Sequence, residues 1–276
     1  MTNGLAGAAR EAATPLLASD EPPVVDVQDG ARDGADSPFV FLCEHASNRL
    51  PKALGDLGLP AEALERHIAW DPGAAPMTLG LAGRLHGPAI LQSYSRLVID
   101  CNREPALPDA ITALSEATAI PGNQHLDAAA RQQRIDTIWT PFHAAIDELV
   151  EARIAAGKPT VIVTLHSFTP IYRGVSRPWH VGIISSGDRR FAEAMLTALR
   201  RDSALVVGDD EPYSARDNVD YTIRRHGFER GLPHVMIEVR NDLVRSATDV
   251  AAWVDRLAGA LSESAAAVDL SSTRND

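Results

Sequence analysis

Residues capable of acid–base chemistry, metal binding or anion binding follow directly after four apolar runs of this sequence. The four runs are PFVFLC (38–43), RLVID (96–100), TVIVTL (160–165) and HVMIEV (234–239). The polar residues at or just beyond their ends are Glu44, His45 and Asn48, then Asp100, Asn102 and Arg103, then His166 and Ser167, and finally Glu238, Arg240, Asn241 and Asp242. Any one of these groups has a simple structural explanation. Their recurrence at four run ends predicts a single polar site.

These residue types suit metal-assisted hydrolysis. Two histidines and one carboxylate are a common ligand set of catalytic zinc, which lowers the pKa of bound water to about 7. A neighbouring carboxylate can take the proton of the water and transfer it to the leaving nitrogen. An arginine can bind a substrate carboxylate through two parallel hydrogen bonds. We therefore interpret His45 and His166 as candidate metal ligands, Glu238 as the candidate base and Arg103 as the candidate anchor.

Each residue also has an alternative interpretation without chemistry. His45 could cap a helix that follows it, and Glu238 could form a structural ion pair with an arginine. Ser167 next to His166 would suit a serine hydrolase, but the G-x-S-x-G turn that exposes such a nucleophile is missing. We interpret His67, His86, His125 and His143 as packing or surface residues.

The elements that would position the site alternate along the chain. HVGII (180–184) and ALVV (204–207) are further strand candidates. Helical spacing of apolar residues predicts one helix after Asp127 that stops at Gly157, one from about Asp188 and one over 248–266. Short apolar strands alternating with helices indicate an α/β fold with a largely parallel sheet covered on both sides. Ligands of such sheets bind at the carboxyl ends of the strands, where the polar residues lie.

Composition limits the partners and the compartment. The net charge of −11 argues against binding to nucleic acid or to anionic membranes, although a small anionic substrate needs only one or two arginines. No apolar run approaches the about 20 residues of a membrane helix, and no secretory signal is recognised at the N-terminus. Cys43 and Cys101 lie in apolar runs, which favours buried free thiols in a reducing compartment. We expect a cytoplasmic protein.

The chain divides into one predicted domain and two tails. Residues 1–37 are rich in Ala, Gly, Asp and Pro without lasting periodicity, which predicts a flexible N-terminal tail. Residues 38–268 contain every predicted strand and helix and are interpreted as a single domain. Residues 269–276 are predicted to be a flexible C-terminal tail.

Five motifs occur in an order that resembles the N-formylglutamate amidohydrolase family. They are CEHASNRLP, HIAWDPGA, SRLVIDCNRE, TLHSFTP and IEVRNDL, and the resemblance extends from about Phe39 to Leu257. The family is related to the zinc carboxypeptidases. The resemblance implies a three-layer α/β/α sandwich with a mixed, largely parallel central sheet, of the zinc-exopeptidase-like type. It also implies Zn²⁺-dependent cleavage of the amide of an N-formyl or N-acyl amino acid, with release of formate and the amino acid.

The resemblance also suggests roles for individual residues. His45 and His166 match the histidine positions of the family, and Glu238 resembles the general base of the related carboxypeptidases. Asn102 and Arg103 resemble the Asn-Arg pair that holds the substrate carboxylate, although the two could also form a simple turn. Residues 211–227 look like a mobile substrate segment of the family. The residues of this segment that would close over the substrate are Tyr221, Arg224 and His226.

One position departs from the related carboxypeptidases. They use His-x-x-Glu for two ligands, and here the matching residue is Asn48, whose neutral amide is a weaker zinc ligand than a carboxylate. Asp71 in AWDPGA is our preferred third ligand and Glu44 the next choice, although Asp-Pro-Gly is also an ordinary turn sequence.

Two alternative functions remain open at the level of sequence. A zinc carboxypeptidase or an N-acyl amino acid deacylase would use the same residues. A non-catalytic amino-acid-binding module that has lost its metal is the alternative of another class. The retention of His45, His166 and Glu238 favours catalysis over such a module.

Overall fold

The computed structural model of the protein describes residues 15–29 and 37–271. The strands of the described part are β1 (Val25–Gln28), β2 (Phe39–Cys43), β3 (Ala89–Gln92), β4 (Leu114–Ser115), β5 (Thr118–Ala119), β6 (Val161–Phe168), β7 (Ile171–Tyr172), β8 (Val175–Ser176), β9 (Val181–Ile184), β10 (Val207–Asp209) and β11 (His234–Arg240). Its helices are α1 (Ala61–Leu64), α2 (Ala74–Leu85), α3 (Ala128–Arg134), α4 (Thr140–Ala155), α5 (Arg190–Leu199), α6 (Tyr221–His226) and α7 (Ala247–Ala267). Short 3₁₀ turns occur at Lys52–Leu54, Pro108–Ile111, Pro121–Asn123, Ala215–Asp217, Phe228–Arg230 and Asn241–Leu243.

Seven strands form the central sheet in the order β1-β3-β2-β6-β11-β9-β10. Strands β3, β2, β6 and β11 are parallel, whereas β1 is antiparallel to β3, and β9 is antiparallel to β11. Strand β10 pairs parallel with β9. The four parallel strands in the middle therefore end at one edge of the sheet. Strands β4 with β5, and β7 with β8, form two small separate hairpins.

Helices cover both faces of the sheet, each over its own apolar core. One core joins β-strand residues such as Phe41 and Val163 to α2, α5 and α7. The other joins the opposite side chains, such as Leu42 and Ile162, to the helical run that ends with α4. Alternate residues of a strand point to opposite faces, so continuous apolar strands supply both cores. The predicted three-layer α/β/α fold with a mixed, largely parallel sheet is confirmed.

The predicted helix after Asp127 is present with both of its end signals. The Asp127 carboxylate accepts a hydrogen bond from the amide of Ala130 at 2.7 Å, and Gly157 at the other end has φ 65°. Between α3 and α4 the helix widens into one π-helical stretch, Ile135–Trp139. In the described residues no helix is long and apolar enough to span a membrane.

Two expectations about strands need correction. RLVID forms a series of turns, in which the Ser95 side chain accepts from the amide of Leu97 at 3.1 Å, and the place beside β2 is taken by β3. Burial alone does not require an extended backbone, so the apolar run is a poor indicator here. The strand predicted at 204–207 lies further along the chain, since β10 spans Val207–Asp209.

The prediction that residues 1–37 are a flexible tail is wrong for residues 25–28. They form β1, which pairs antiparallel with β3 at the edge of the sheet. Its VDVQ sequence alternates apolar and polar residues over only four positions, and its side chains are mostly exposed. Main-chain hydrogen bonds to β3 hold it in place. Residues 1–14 and 30–36 of this predicted tail and 272–276 of the C-terminal one lie outside the described residues.

Candidate active site

A cavity of about 210 Å³ lies at the carboxyl ends of the central parallel strands. This volume suits a small molecule rather than a folded partner. Seven of the polar residues singled out at the run ends and in AWDPGA line it: His45, Asp71, Asp100, Asn102, Arg103, His166 and Glu238.

Neighbouring strands place the catalytic candidates side by side. His45 follows directly after the end of β2, His166 lies in β6 and Glu238 lies in β11. Strands β6 and β11 are parallel and in register, with Glu238 opposite His166. Because residues paired across adjacent strands point to the same face, the acid and the imidazole share one wall of the cavity.

His45, Asp71 and His166 form a compact group that we call the cavity trio. Asp71 Oδ2 lies 3.3 Å from His45 Nδ1 and 3.0 Å from His166 Nδ1. The two Nδ1 atoms are 3.2 Å apart. All three side chains are buried, and within residues 15–29 and 37–271 they are the one group of three or more His, Cys, Asp or Glu arranged to hold a metal ion. Two imidazole nitrogens and one carboxylate oxygen are a donor set that fits zinc.

The opposite ring nitrogens of both histidines face carboxylates. His45 Nε2 lies 2.7 Å from Asp100 Oδ1, and His166 Nε2 lies 3.2 Å from Glu44 Oε2. A ring N–H that points to a carboxylate leaves the lone pair of the other nitrogen free for a metal and makes it more basic. Glu44 thus lies behind His166, on the far side from the Nδ1 atom of the cavity trio.

The other alternative ligand, Asn48, does not face the cavity trio. Its amide donates to Leu64 O at 3.0 Å and to Glu65 Oε1 at 3.2 Å. Among the three alternatives for the third ligand, the position of Asp71 is the one that fits.

Buried carboxylates dominate the electrostatics of the site. Burial works to lower the pKa of His166, but the charge of Glu44 and the hydrogen bond to Asp71 outweigh it and raise that pKa well above its usual value. Burial and Arg96 likewise oppose protonation of His45, yet Asp100 and Asp71 raise its pKa. The surroundings of both histidines therefore favour positive charge at this point, which is what a bound cation needs.

Glu238 differs from the other carboxylates of the site. It is 4% exposed, and burial raises its pKa to about 7. Its Oε2 atom has no hydrogen-bond partner among the described residues. A carboxyl group near neutral pKa with a free oxygen suits proton transfer at neutral pH.

Asn102 and Arg103 line the cavity but are partly engaged by the protein itself. The Asn102 amide donates to Val219 O at 2.6 Å and accepts from the amide of Thr222 at 3.0 Å. Both ends of this side chain therefore hold the segment before α6. Arg103 Nη1 donates to Asn218 O at 2.8 Å and otherwise borders the cavity.

Tyr221, Arg224 and His226 are not brought to the cavity, in contrast to the expectation from the sequence. Tyr221 and His226 are buried against α4, where His226 Nε2 lies 2.8 Å from His143 Nδ1. Arg224 lies at the surface, 3.1 Å from Glu229 Oε1. The reason is helix α6: it turns the side chains of 221–226 toward α4 or solvent rather than toward the strand ends.

Two cavity residues escaped the sequence interpretation. Arg96 contacts Asp100 Oδ2 at 2.6 Å and Asp71 Oδ1 at 3.4 Å. His67, expected to be a packing or surface residue, lines the cavity with Nε2 3.3 Å from Asp71 Oδ1 and 2.6 Å from Ser167 O. Both are four residues before an acid that they contact, but neither pair lies in a helix, so this spacing gives no sequence signal for them.

Comparison with known proteins agrees with the motifs. The model of the N-formylglutamate amidohydrolase family matches residues 37–245. The structure of a gene product from Agrobacterium tumefaciens is similar with a TM-score of 0.88 and 38% identity, over 91% of this chain and 98% of that one. The structure of N-formylglutamate amidohydrolase from Ralstonia eutropha JMP134 has a TM-score of 0.63 and 18% identity, over 88% of this chain and 97% of that one, and shows the shared fold. A comparison with curated proteins found no match. Since the family match spans well over half of the sequence, this chain belongs to the N-formylglutamate amidohydrolase family.

Proposed function

We propose that this protein is a zinc-dependent amidohydrolase that cleaves the amide of a small anionic substrate, an N-formyl or N-acyl amino acid, to the free acid and the amino acid. The observation that carries the proposal is the convergence of the cavity trio with Glu238 at one end of a small cavity. Membership of the family supports the same class of reaction.

The cavity trio would hold the zinc ion, with His45 and His166 presenting Nδ1 and Asp71 presenting Oδ2. Zinc in such a site polarises a substrate carbonyl and lowers the pKa of water. Asp100 accepts a hydrogen bond from His45 Nε2, and Glu44 lies 3.2 Å from His166 Nε2, so the two carboxylates would keep the rings oriented.

Glu238 moves the proton in this proposal. Its free Oε2 takes a proton from the attacking water and later delivers it to the nitrogen that leaves as the amine. The carbonyl carbon gains the hydroxyl oxygen and loses the C–N bond, so formate and an amino acid are released from an N-formyl substrate. Arg103 at the cavity wall would bind the substrate carboxylate, and Asn102 would hold the neighbouring segment in place.

A substitution of Glu238 tests the proposal. We expect Glu238→Gln to retain zinc and to lose about 10²- to 10⁴-fold in turnover, because the amide cannot accept the proton. Formate release from N-formyl amino acids and metal content by mass spectrometry would be measured together. Glu193→Gln is the matched control, since Glu193 is an exposed glutamate of α5 outside the cavity. Turnover near that of the parent in Glu238→Gln would remove Glu238 from the mechanism.

The substrate class needs a panel assay. Formyl, acetyl and dipeptide derivatives of the same amino acids separate a deformylase from a deacylase and a carboxypeptidase. Binding without turnover of any of them, by protein loaded with zinc, would bring forward the non-catalytic binding module.

A further inference from the structure

An arginine and a tyrosine form an unusual pair at the cavity wall. Arg177 is only 8% exposed, and its Nη1 atom donates to the hydroxyl oxygen of Tyr213 at 3.2 Å. Its guanidinium carbon lies 4.5 Å from the ring centre of Tyr172 and 4.8 Å from that of Tyr213. Both of these tyrosines line the cavity.

Within the described part of the chain Arg177 has no carboxylate partner, and its guanidinium contacts the Tyr213 hydroxyl and aromatic rings. A nearly buried cation without a counter-ion is unfavourable, and aromatic faces offset this cost only in part. Arg225 provides the contrast: it also donates to a tyrosine hydroxyl, that of Tyr221 at 3.3 Å, but it is paired with Asp147 at 2.7 Å. The unpaired charge of Arg177 therefore favours a negative group nearby.

The direction of the Arg177–Tyr213 hydrogen bond is fixed by chemistry. A guanidinium only donates, so the Tyr213 oxygen accepts and its own proton must point elsewhere. Within residues 15–29 and 37–271 that proton has no acceptor. Burial and the charge of Glu238 raise the pKa of Tyr213 to about 12, so the hydroxyl keeps its proton at neutral pH.

The backbone brings Tyr213 close to the reacting centre. Gly182 in β9 is opposite Glu238 in β11. A Cβ atom at Gly182 would collide with the carbonyl oxygen of Glu211, two residues before Tyr213. The glycine thus allows the 211–213 segment to lie directly on the sheet beside the proposed base.

We propose that Tyr213 is a substrate-contact residue, whose hydroxyl donates to a negatively charged oxygen of the substrate, and that Arg177 is the positioning residue that orients this hydroxyl. The proposal rests on the proposed amidohydrolase function. The charged oxygen has two possible sources: a carboxylate of the bound substrate, or the oxygen of the amide as it becomes negative in the transition state.

Tyr213→Phe tests the contact, because it removes only the hydroxyl. Zinc-loaded parent and variant would be compared by KM and kcat for N-formyl-L-glutamate and by calorimetric Kd for the same compound in the Glu238→Gln background. A rise of about 10- to 100-fold in KM and Kd would identify a substrate carboxylate as the acceptor. An equivalent fall in kcat with unchanged Kd would identify the transition-state oxygen. Unchanged kcat, KM and Kd would overturn the proposal.

Tyr221→Phe is the matched control. It removes the hydroxyl of the other tyrosine that accepts from an arginine, at a place away from the cavity. We expect its kcat and KM to stay within about twofold of the parent values, because the Tyr221 hydroxyl contacts Arg225 and does not line the cavity. An effect on KM as large as that of Tyr213→Phe would contradict the assignment of the contact to Tyr213.

Arg177→Met tests the positioning role. We expect an effect of about fivefold on the parameter that Tyr213→Phe changes, the equivalent of one ordinary hydrogen bond. The same substitution in the Tyr213→Phe background should have no further effect on that parameter. A merely structural role would instead lower Tm and act equally in both backgrounds, which would overturn the role of Arg177. The Tyr213→Phe result stands whether or not the Arg177 variant folds.

Failure of this proposal can be told apart from failure of the proposed function. If the zinc-loaded parent hydrolyses no formyl or acyl amino acid, the proposed function fails. The calorimetric comparison then decides on Tyr213 alone. Weaker binding of N-formyl-L-glutamate by the tyrosine variant supports the contact, whereas equal binding, or no binding by either protein, overturns it.

Discussion

Two groups of this protein have the same composition, two buried histidines and an aspartate, but opposite arrangements. The cavity trio of His45, Asp71 and His166 points one atom of each side chain at a common centre. The second group, which we call the helix trio, consists of His143 and Asp147 of α4 and His226 of α6.

In the helix trio, the ring nitrogens of the histidines contact each other, a backbone carbonyl oxygen and Asp147. His143 Nε2 lies 2.9 Å from Cys101 O, and its Nδ1 lies 2.8 Å from His226 Nε2. His226 Nδ1 lies 3.2 Å from Asp147 Oδ1, and Asp147 is also bound by Arg225. The three side chains form a line rather than a cluster, and none of them lines the active-site cavity.

The surroundings of the two trios shift the pKa values of their histidines in opposite directions. The pKa values of His45 and His166 are raised, because carboxylates outweigh burial. Burial lowers the pKa of His143 to about 3 and also lowers that of His226. Composition alone therefore does not define a metal site. Convergent lone pairs, nearby negative charge and access to a cavity do.

Removal of one histidine from each trio is the strongest way to break this comparison. The parent protein should bind about one zinc per chain. We expect His166→Ala to lose this zinc, because one of the three ligands is missing. His143→Ala should keep its zinc, although it should be less stable. Metal content of the folded fraction by mass spectrometry is the measurement. Zinc retained in His166→Ala, or lost only in His143→Ala, would reverse the assignment of the two trios.

Removal of a carboxylate behind a ligand gives a smaller effect. We expect Glu44→Gln to weaken zinc binding by about 10- to 100-fold, since Glu44 orients His166 without replacing it as a ligand. Asp147→Asn is the control, because it removes the carboxylate of the helix trio. Competition with a chelator measures both affinities. An unchanged affinity in Glu44→Gln would exclude this supporting role.

The helix trio predicts a dependence of stability on pH. A histidine with a lowered folded pKa binds more protons when unfolded, so its contribution is complete above the unfolded pKa of about 6.5 and is lost as the pH falls toward 3. Within this window we expect His143 to contribute a decrease of up to about 1.4 kcal/mol per pH unit on acidification. The groups that face it are His226, Arg225 and the more distant Glu44.

Urea unfolding at pH 7, 6 and 5 is the measurement, with His143→Gln as the comparison. The variant should lose less stability than the parent between pH 6 and pH 5, because Gln does not titrate. Parallel pH dependences of the parent and the variant would show that His143 does not supply the effect. Titrating groups far from His143 cancel in the comparison of the two proteins, whereas His226, which contacts His143, is part of the measured difference.

Much of the fold and half of the site follow from local patterns. Apolar runs and helical spacing are properties of neighbouring residues, so β2, β6, β11 and the long helix before Gly157 are predicted from them. His45, His166 and Glu238 are predicted because each lies at the end of such a run, and the carboxyl ends of parallel strands meet at one edge. The same patterns give wrong predictions at two places. β1 is an exposed edge strand within a segment predicted to be a tail, and RLVID is a buried turn predicted to be a strand.

The rest depends on contacts between residues that are far apart along the chain. Asn102 holds Thr222, 120 positions away, and His226 meets His143, 83 positions away. No local pattern reports such pairs, because the direction of a side chain depends on the packing of α6 against α4 and on the turns at 96–100. The sequence by itself determined the layered fold and the chemical types at the strand ends. The tertiary structure decided which histidines converge on the cavity and which are consumed by hydrogen bonds.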